Sequence, residues 1–314
     1  MNIEWNEKEY GKNFSFVPQY GKELLELVAE EARACSFCYP DGKSTGGAMP
    51  AFGQNAGVKM SESQKGGAVP KPLGFNGENS MPKKLAVDLG CGTGALSEGL
   101  LGLGYNVIGI DDSADMLKVA KKEHPNINFY KANALNFNLN SLSPQENIKF
   151  NVTADVIFSN AVFHWINEGE QVRLAKNIAK NLKPQGVLVA EFGGHGCAEK
   201  VHTALKTAFE NHGLTYVNGF YFPTVEQYLT VLESAGFRVE FISLFDRPTV
   251  QSDGENGLKN WVNMFIKQPF CGVSKEVKEE ILKEVEEILR PELFVNGEWV
   301  IDYVRIRVKA RKKG

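Results

Sequence analysis

From Lys83 to Phe192 the chain alternates short runs rich in apolar residues with longer stretches in which apolar residues recur every three or four positions. The short runs are Leu85 to Asp88, Tyr105 to Ile110, Asn126 to Tyr130, Asp155 to Ser159 and Val187 to Phe192. They are rich in β-formers and read as strands, the run Asp155 to Ser159 as a fully apolar core strand with a polar tip. Helical spacing fills roughly 95–103, 113–123 and 170–182, with Pro125 and then Lys183-Pro184-Gln185-Gly186 as stops. Regular alternation of strand and helix predicts an α/β fold with a doubly wound, mostly parallel sheet. Further on, helices are expected at 199–212 and 224–235, a sixth strand over Arg238 to Leu244, and a last strand over Trp299 to Val308. Residues 246–298 interrupt that final pair of strands and carry helical patterns near 257–267 and 274–289.

Upstream, Leu24, Leu25, Leu27 and Val28 fall at helical spacing with acids opposite, giving an amphipathic helix that packs on the sheet. Aromatic residues precede it. Residues 36–82 differ in character: nine Gly and five Pro occur in this stretch, which cannot bury enough apolar area to offset its ordering entropy. It is expected to be a flexible insertion. Its Gly42 to Gly47 run, GKSTGG, fails as a phosphate loop because the required earlier glycine is Phe37. The chain therefore divides into a cap segment at 1–35, the insertion at 36–82 and a main domain at 83–314.

Candidate chemistry concentrates at Leu85 to Leu96, LAVDLGCGTGAL. A buried strand ends in Asp88, and Gly90, Gly92 and Gly94 then let the backbone turn tightly and approach a ligand before a helix begins. About 20 residues on, the next strand ends in Asp111, where a doubly wound sheet places an acid against ribose hydroxyls. A pyrophosphate would want a helix N-terminus free to face an anion. An acid at the strand end instead suits a nucleoside-like ligand bearing an ammonium group.

VDLGCGTG at Val87 to Gly94 and GIDDSADML at Gly109 to Leu117 resemble the first and second motifs of the class I S-adenosylmethionine-dependent methyltransferases. The resemblance implies a seven-stranded Rossmann-like sheet with an N-terminal helical cap, and a helical lid over the acceptor pocket at about 246–298. It implies an enzyme with S-adenosylmethionine as cofactor. Asp88, Gly90 and Gly92 would face the methionine moiety, Asp111 the ribose, Met116 the adenine face, and Asn133 with Ala134 the adenine edge. The family usually has Asp-Ala where Asn133-Ala134 stands here, although an amide can still accept and donate. SNAVFHWI at Ser159 to Ile166 resembles the segment after strand four in the trans-aconitate and malonyl-ester methyltransferases. It puts Asn160, His164 and Trp165 beside the methyl donor, with His164 as a candidate catalytic base and His195 a weaker one. Tyr10, Phe14 and Tyr20 are then candidate lid contacts. If the acceptor is an acid, Arg247 is the candidate to hold it.

A net charge of -3 gives no overall pull toward nucleic acid or anionic lipid. The N-terminus lacks the features of a secretory signal and no long apolar run follows, so a cytoplasmic protein is expected. Five cysteines fit a reducing compartment, and Cys35 with Cys38 lack the second pair that a zinc site needs. No metal is expected. Arg305, Arg307, Lys309, Arg311, Lys312 and Lys313 in and after the last strand are expected to form a solvated face and tail; His124, His202 and His212 are placed on helix surfaces or ends without a role. The expected activity is methyl transfer to a small-molecule carboxylate or hydroxyl oxygen. Methylation of RNA or protein, and a non-catalytic S-adenosylmethionine-binding protein, are the alternatives.

Overall fold

The computed structural model describes residues 16–36, 83–142 and 152–314. In chain order the elements are α1 (Phe16–Ser36), β1 (Leu85–Leu89), α2 (Ala95–Gly102), β2 (Asn106–Asp111), α3 (Ala114–Glu123), β3 (Asn128–Lys131), α4 (Leu139–Leu142) and β4 (Ala154–Asn160). There follow α5 (Gln171–Asn181), β5 (Leu182–Gly193), α6 (Glu199–Asn211), α7 (Val225–Ser234), β6 (Phe237–Asp246), β7 (Thr249–Val250) and α8 (Gly257–Phe265). The last are α9 (Lys275–Leu293), β8 (Phe294–Val295), β9 (Glu298–Ile301) and β10 (Val304–Lys312). Of the insertion expected at 36–82, Ser36 belongs to α1 and the rest lies outside the described residues, as do Tyr10, Phe14 and the side chain of Tyr20.

Seven strands form one sheet in the order β3-β2-β1-β4-β5-β10-β6, with β10 antiparallel to both neighbours and the other pairings parallel. Strand order reverses between β1 and β4, the switch point at which such sheets open a crevice. Residues alternate between two faces. Val87, Leu89 and Ile157 pack with Leu174 and Ile178 of α5 and with Tyr228 and Leu232 of α7. Ala86, Val156, Phe158 and Val189 pack on the opposite face with Leu24 and Val28 of α1, Leu100 of α2 and Leu117 of α3. A third core joins α6 to the segment between β6 and β10, through Leu205, Phe209, Trp261, Val262, Ile281 and Val285. Residues 246–298 thus build a wall with its own core, extended through β9 into a second, three-stranded sheet in the order β7-β9-β8.

Three features depart from those expected. Strand β5 starts at Leu182 rather than Val187, because the Lys183 to Gly186 turn is absorbed as an irregularity opposite Ala154 and Val156, with Gln185 at a φ of 62°. The last strand is two, β9 and β10, separated at Asp302 and Tyr303 so that each half pairs in a different sheet.

The third departure concerns the basic residues of β10, which are not a solvated face. Val304, Ile306, Val308 and Ala310 point to one side, the last three fully into the core. Arg307, Lys309 and Arg311 point to the other, where α1 meets them with a line of glutamates. Arg307 pairs with Glu23 at 3.0 Å and with the buried Glu191 at 2.6 Å. Lys309 pairs with Glu30 at 3.2 Å and Glu31 at 3.0 Å, and Arg311 with Glu31 at 2.8 Å and Glu240 at 2.6 Å. Arg247 joins the same network, to Glu23 at 3.0 Å and Glu191 at 3.2 Å. Burial makes a partner necessary for Glu191, whose charge left alone would be strongly unfavourable there, while Glu23 and Glu30 sit at the exposed edge of the network.

Candidate active site

The glycine turn after β1 is held from three sides. Gly90 and Cys91 donate their backbone N–H groups to the Ile110 carbonyl at 2.7 and 3.0 Å. Gly92 N–H donates to Asp111 Oδ2 at 2.9 Å, while Asp111 Oδ1 accepts from Ser113 N–H at 2.8 Å. Gly90 has a φ of 77°, and a Cβ there would meet Val162 Cγ2 at 2.2 Å, so the turn and the loop after β4 interlock only around a glycine. Burial raises the Asp111 carboxyl above the usual range, opposed by those amide donors.

Asp88 lies behind this turn. It is 2% exposed, accepts a 2.6 Å hydrogen bond from Ser97 Oγ in the first turn of α2, and does not line the cleft. Its expected direct contact with a ligand is therefore corrected: the side chain fixes the turn to α2 from beneath. Burial pushes its carboxyl up to about 7, eased by Ser97 and reinforced by the nearby Asp111 charge.

Across the carboxyl ends of the strands runs one continuous cleft of about 1440 Å³, larger than the few hundred to a thousand typical of a site for one small ligand. One half is lined by Leu89, Gly90, Gly92, Asp111, Met116 and the Asn133 to Leu135 loop. Asn133 Nδ2 donates to Asp112 Oδ2 at 3.0 Å and its Oδ1 accepts from Leu135 N–H at 2.9 Å, which fixes the amide at the cleft edge. Asp111, Asp112 and Asp115 all face this half. Three carboxylates repel a phosphate and suit a ligand with an ammonium and a sugar diol, while Met116 and Ala134 offer apolar contact to a purine. Six of the eight predicted cofactor contacts, Gly90, Gly92, Asp111, Met116, Asn133 and Ala134, are brought together here; Asn160 lines the cleft at the tip of β4, and Asp88 is the exception.

These motifs place the chain among known proteins. A family model described as "Methyltransferase domain" matches residues 87–188. An uncharacterized methyltransferase, C70.08c, of Schizosaccharomyces pombe is 30% identical over 235 residues, covering 72% of this chain and 86% of that one. The chain is a class I, S-adenosylmethionine-dependent methyltransferase. A trans-aconitate 2-methyltransferase of Agrobacterium fabrum is 28% identical, covering 62% and 72% respectively. A malonyl-[acyl-carrier protein] O-methyltransferase of Bacillus anthracis is 30% identical over 41% of this chain and 44% of its own. A solved SAM-dependent methyltransferase of Methanosarcina mazei aligns at 15% identity with a TM-score of 0.48, over 74% of this chain and 94% of that one.

The methyltransferase's other half-cleft begins where β4 ends. Ala161 turns the chain at a φ of 61°, its N–H bonded to the Glu191 carbonyl at 2.7 Å, and the short 3₁₀ turn Phe163–Trp165 follows. Buried Gln171 clamps this turn by donating to the Phe163 and Ile166 carbonyls at 3.0 and 2.7 Å. His164 is carried into the cleft wall, 7% exposed, with its ring 5.2 Å from Trp165 and about 6 Å from Phe220 and Phe222. Its Nδ1 accepts the Gly193 N–H at 3.2 Å, so the neutral ring carries its proton on Nε2. Burial, then the charge of Arg305, holds the imidazole well below its ordinary value. Both observations run against His164 as a proton acceptor and make it a hydrogen-bond donor.

Three other expectations change. Arg247, the candidate for an acidic acceptor, does not line the cleft and is engaged by Glu23 and Glu191. His195 is exposed and off the cleft. His202, expected on the surface of α6, is 8% exposed and lines the cleft, with its Nδ1 2.6 Å from Tyr216 Oη and burial holding its pKa to about 4. Its place is legible in the helical spacing: His202, Leu205 and Phe209 share the buried stripe of α6. Trp261, Phe265 and Tyr303 complete the wall, with Trp261 Nε1 donating to Tyr303 Oη at 2.5 Å. Among the described residues no cluster of side chains is suited to a metal ion.

Proposed function

We propose that this methyltransferase transfers a methyl group to a carboxylate or hydroxyl oxygen of a small-molecule acceptor. One observation carries the reading: a polar, acid-lined half-cleft and an aromatic half-cleft are continuous and meet at Asn160 to Trp165. When bound, S-adenosylmethionine supplies an electrophilic methyl group on a sulfonium. Gly90 and Gly92 would give its methionine part a backbone approach, Asp111 would accept from the ribose hydroxyls, Met116 would cover the adenine face, and Asn133 with Ala134 would meet the adenine edge. Asp88 acts from behind, by holding the turn.

Trp165, Phe220, Phe222 and Phe265 exclude water and offer flat apolar surfaces to the acceptor, so alignment supplies much of the rate. His164 donates its Nε2–H to the acceptor and orients the attacking lone pair. A carboxylate arrives already ionised and needs no base. The name of the malonyl-[acyl-carrier protein] O-methyltransferase relative also supports an oxygen acceptor. RNA methylation loses its main support, because Arg307, Lys309 and Arg311 are occupied by glutamates within the fold. A screen of acids, phenols, thiols and amines for S-adenosylhomocysteine release tests the reading: acids or hydroxy compounds should turn over, and turnover confined to amines or thiols would overturn it.

A further inference from the structure

The basic positions of β10 form one line, Arg305, Arg307, Lys309 and Arg311, and three of the four are matched by glutamates. Arg305 is the fourth. It is 8% exposed, so it is as deeply placed as the others, yet among the described residues no carboxylate pairs with it. Its guanidinium lies over the Tyr303 ring at 4.6 Å and lines the cleft. A ring face is a weak substitute for a counter-charge, and a buried guanidinium without one is costly. Because it lines the cleft, an anion in the cleft can reach it.

Register sets its distance from the donor half. Arg305 sits opposite Gly193 at the end of β5, and β1 lies three strands away in the order β1-β4-β5-β10. At about 4.8 Å per spacing, that is roughly 14 Å from the tip of β1. His164 lies between, bonded to Gly193 and close enough to feel the Arg305 charge. An anion on Arg305 is thus remote from the glycine turn, with the aromatic wall and His164 spanning the gap. A guanidinium that grips both oxygens of a carboxylate also occupies the lone pairs that attack would use.

From this we infer that Arg305 is the anchor for a carboxylate of the acceptor, distinct from the oxygen that is methylated. The acceptor is then an organic acid with a second nucleophilic oxygen, long enough to reach from Arg305 past His164 to the donor half. The inference rests on the cofactor reading only for the direction in which the acceptor extends; the anion site itself does not.

The test compares thermal unfolding of the full chain and of Arg305→Met, Arg305→Lys and Arg307→Met. Each is measured in malonate, succinate or benzoate at matched ionic strength, with malonamide, succinamide and benzamide as neutral controls. Ligand-free Arg305→Met should unfold at the wild-type temperature or higher, whereas Arg307→Met, which takes from buried Glu191 the closer of its two guanidinium partners, should unfold lower. At least one acid, and none of the amides, should raise the wild-type midpoint. That rise should vanish in Arg305→Met and survive in part in Arg305→Lys, with affinity for the acid reduced roughly tenfold or more by the Met substitution. The inference is overturned if Arg305→Met falls as far as Arg307→Met, if the acids shift wild type and Arg305→Met alike, or if they shift neither. Calorimetry with S-adenosylhomocysteine runs alongside: Arg305→Met should bind it as wild type does. A wild type that binds an acid but not S-adenosylhomocysteine would refute the cofactor reading and leave the anion site standing.

Discussion

Asp88 and His164 show how burial decides what an ionisable group does. The Asp88 carboxyl is lifted from an unfolded value near 3.8 to about 7 because the folded site disfavours its charge. The penalty is absent below the unfolded value, where both states are protonated. It grows by about 1.4 kcal/mol for each pH step of one as pH rises from about 4 to 7, reaches about 4 kcal/mol, and is constant above. Asp88→Asn keeps the acceptor for Ser97 and removes the charge, so its stability relative to wild type should rise between pH 4 and 7 and then level. Urea unfolding across that range checks this, and a constant difference would show that Asp88 is not strained. For His164, a lowered pKa and an occupied Nδ1 predict that kcat/KM has no inflection near 6.5 arising from this residue. His164→Gln, which retains a donor, should keep more turnover than His164→Ala at unchanged donor affinity. Equal losses in the two variants would exclude the donor role.

The elements that carry the cofactor half are legible in the sequence because each is local. The apolar runs of β1 and β2, the three glycines and Asp111 lie within a single strand-helix-strand unit, and their spacing alone fixes how they meet. The aromatic half is assembled from α6, the Tyr216 to Phe222 segment, α8 and the start of β10, which are far apart in sequence. No short-range pattern brings Trp261 to Tyr303 or His202 to Tyr216. The basic alternation of β10 is visible in the sequence but reads as a solvent face, since its partner, α1, is contributed by a segment some 280 residues earlier. A strand in the interior of a sheet with one wholly cationic side requires an acidic cover, and α1 supplies it. Arg307→Met should therefore destabilise the fold by about 1.5–3 kcal/mol, because the buried Glu191 loses its 2.6 Å charged hydrogen bond and keeps only Arg247. Glu23→Gln, whose side chain is 60% exposed, should cost under about 1 kcal/mol. Denaturant midpoints that rank the two in the opposite order would mean the buried pair does not anchor the strand.

At the scale of the molecule, a switch-point crevice between β1 and β4 is extended by a helical wall into a cleft with room for two ligands side by side. The sheet supplies the acid-lined half, and residues 246–298 together with α6 supply much of the aromatic one. No helix among the described residues is long and apolar enough to cross a membrane. The division of labour predicts that variants of Asp111 and of Trp261 fail differently. Asp111→Ala should lose donor binding at any acceptor concentration, and Trp261→Ala should raise the acceptor KM while donor affinity holds. Titration calorimetry of the folded wild type with S-adenosylhomocysteine tests the central claim most directly. The account predicts saturable one-to-one binding that Asp111→Ala weakens by at least about tenfold. A folded wild type that gives no binding heat, or an Asp111→Ala variant that binds as well as wild type, would contradict it.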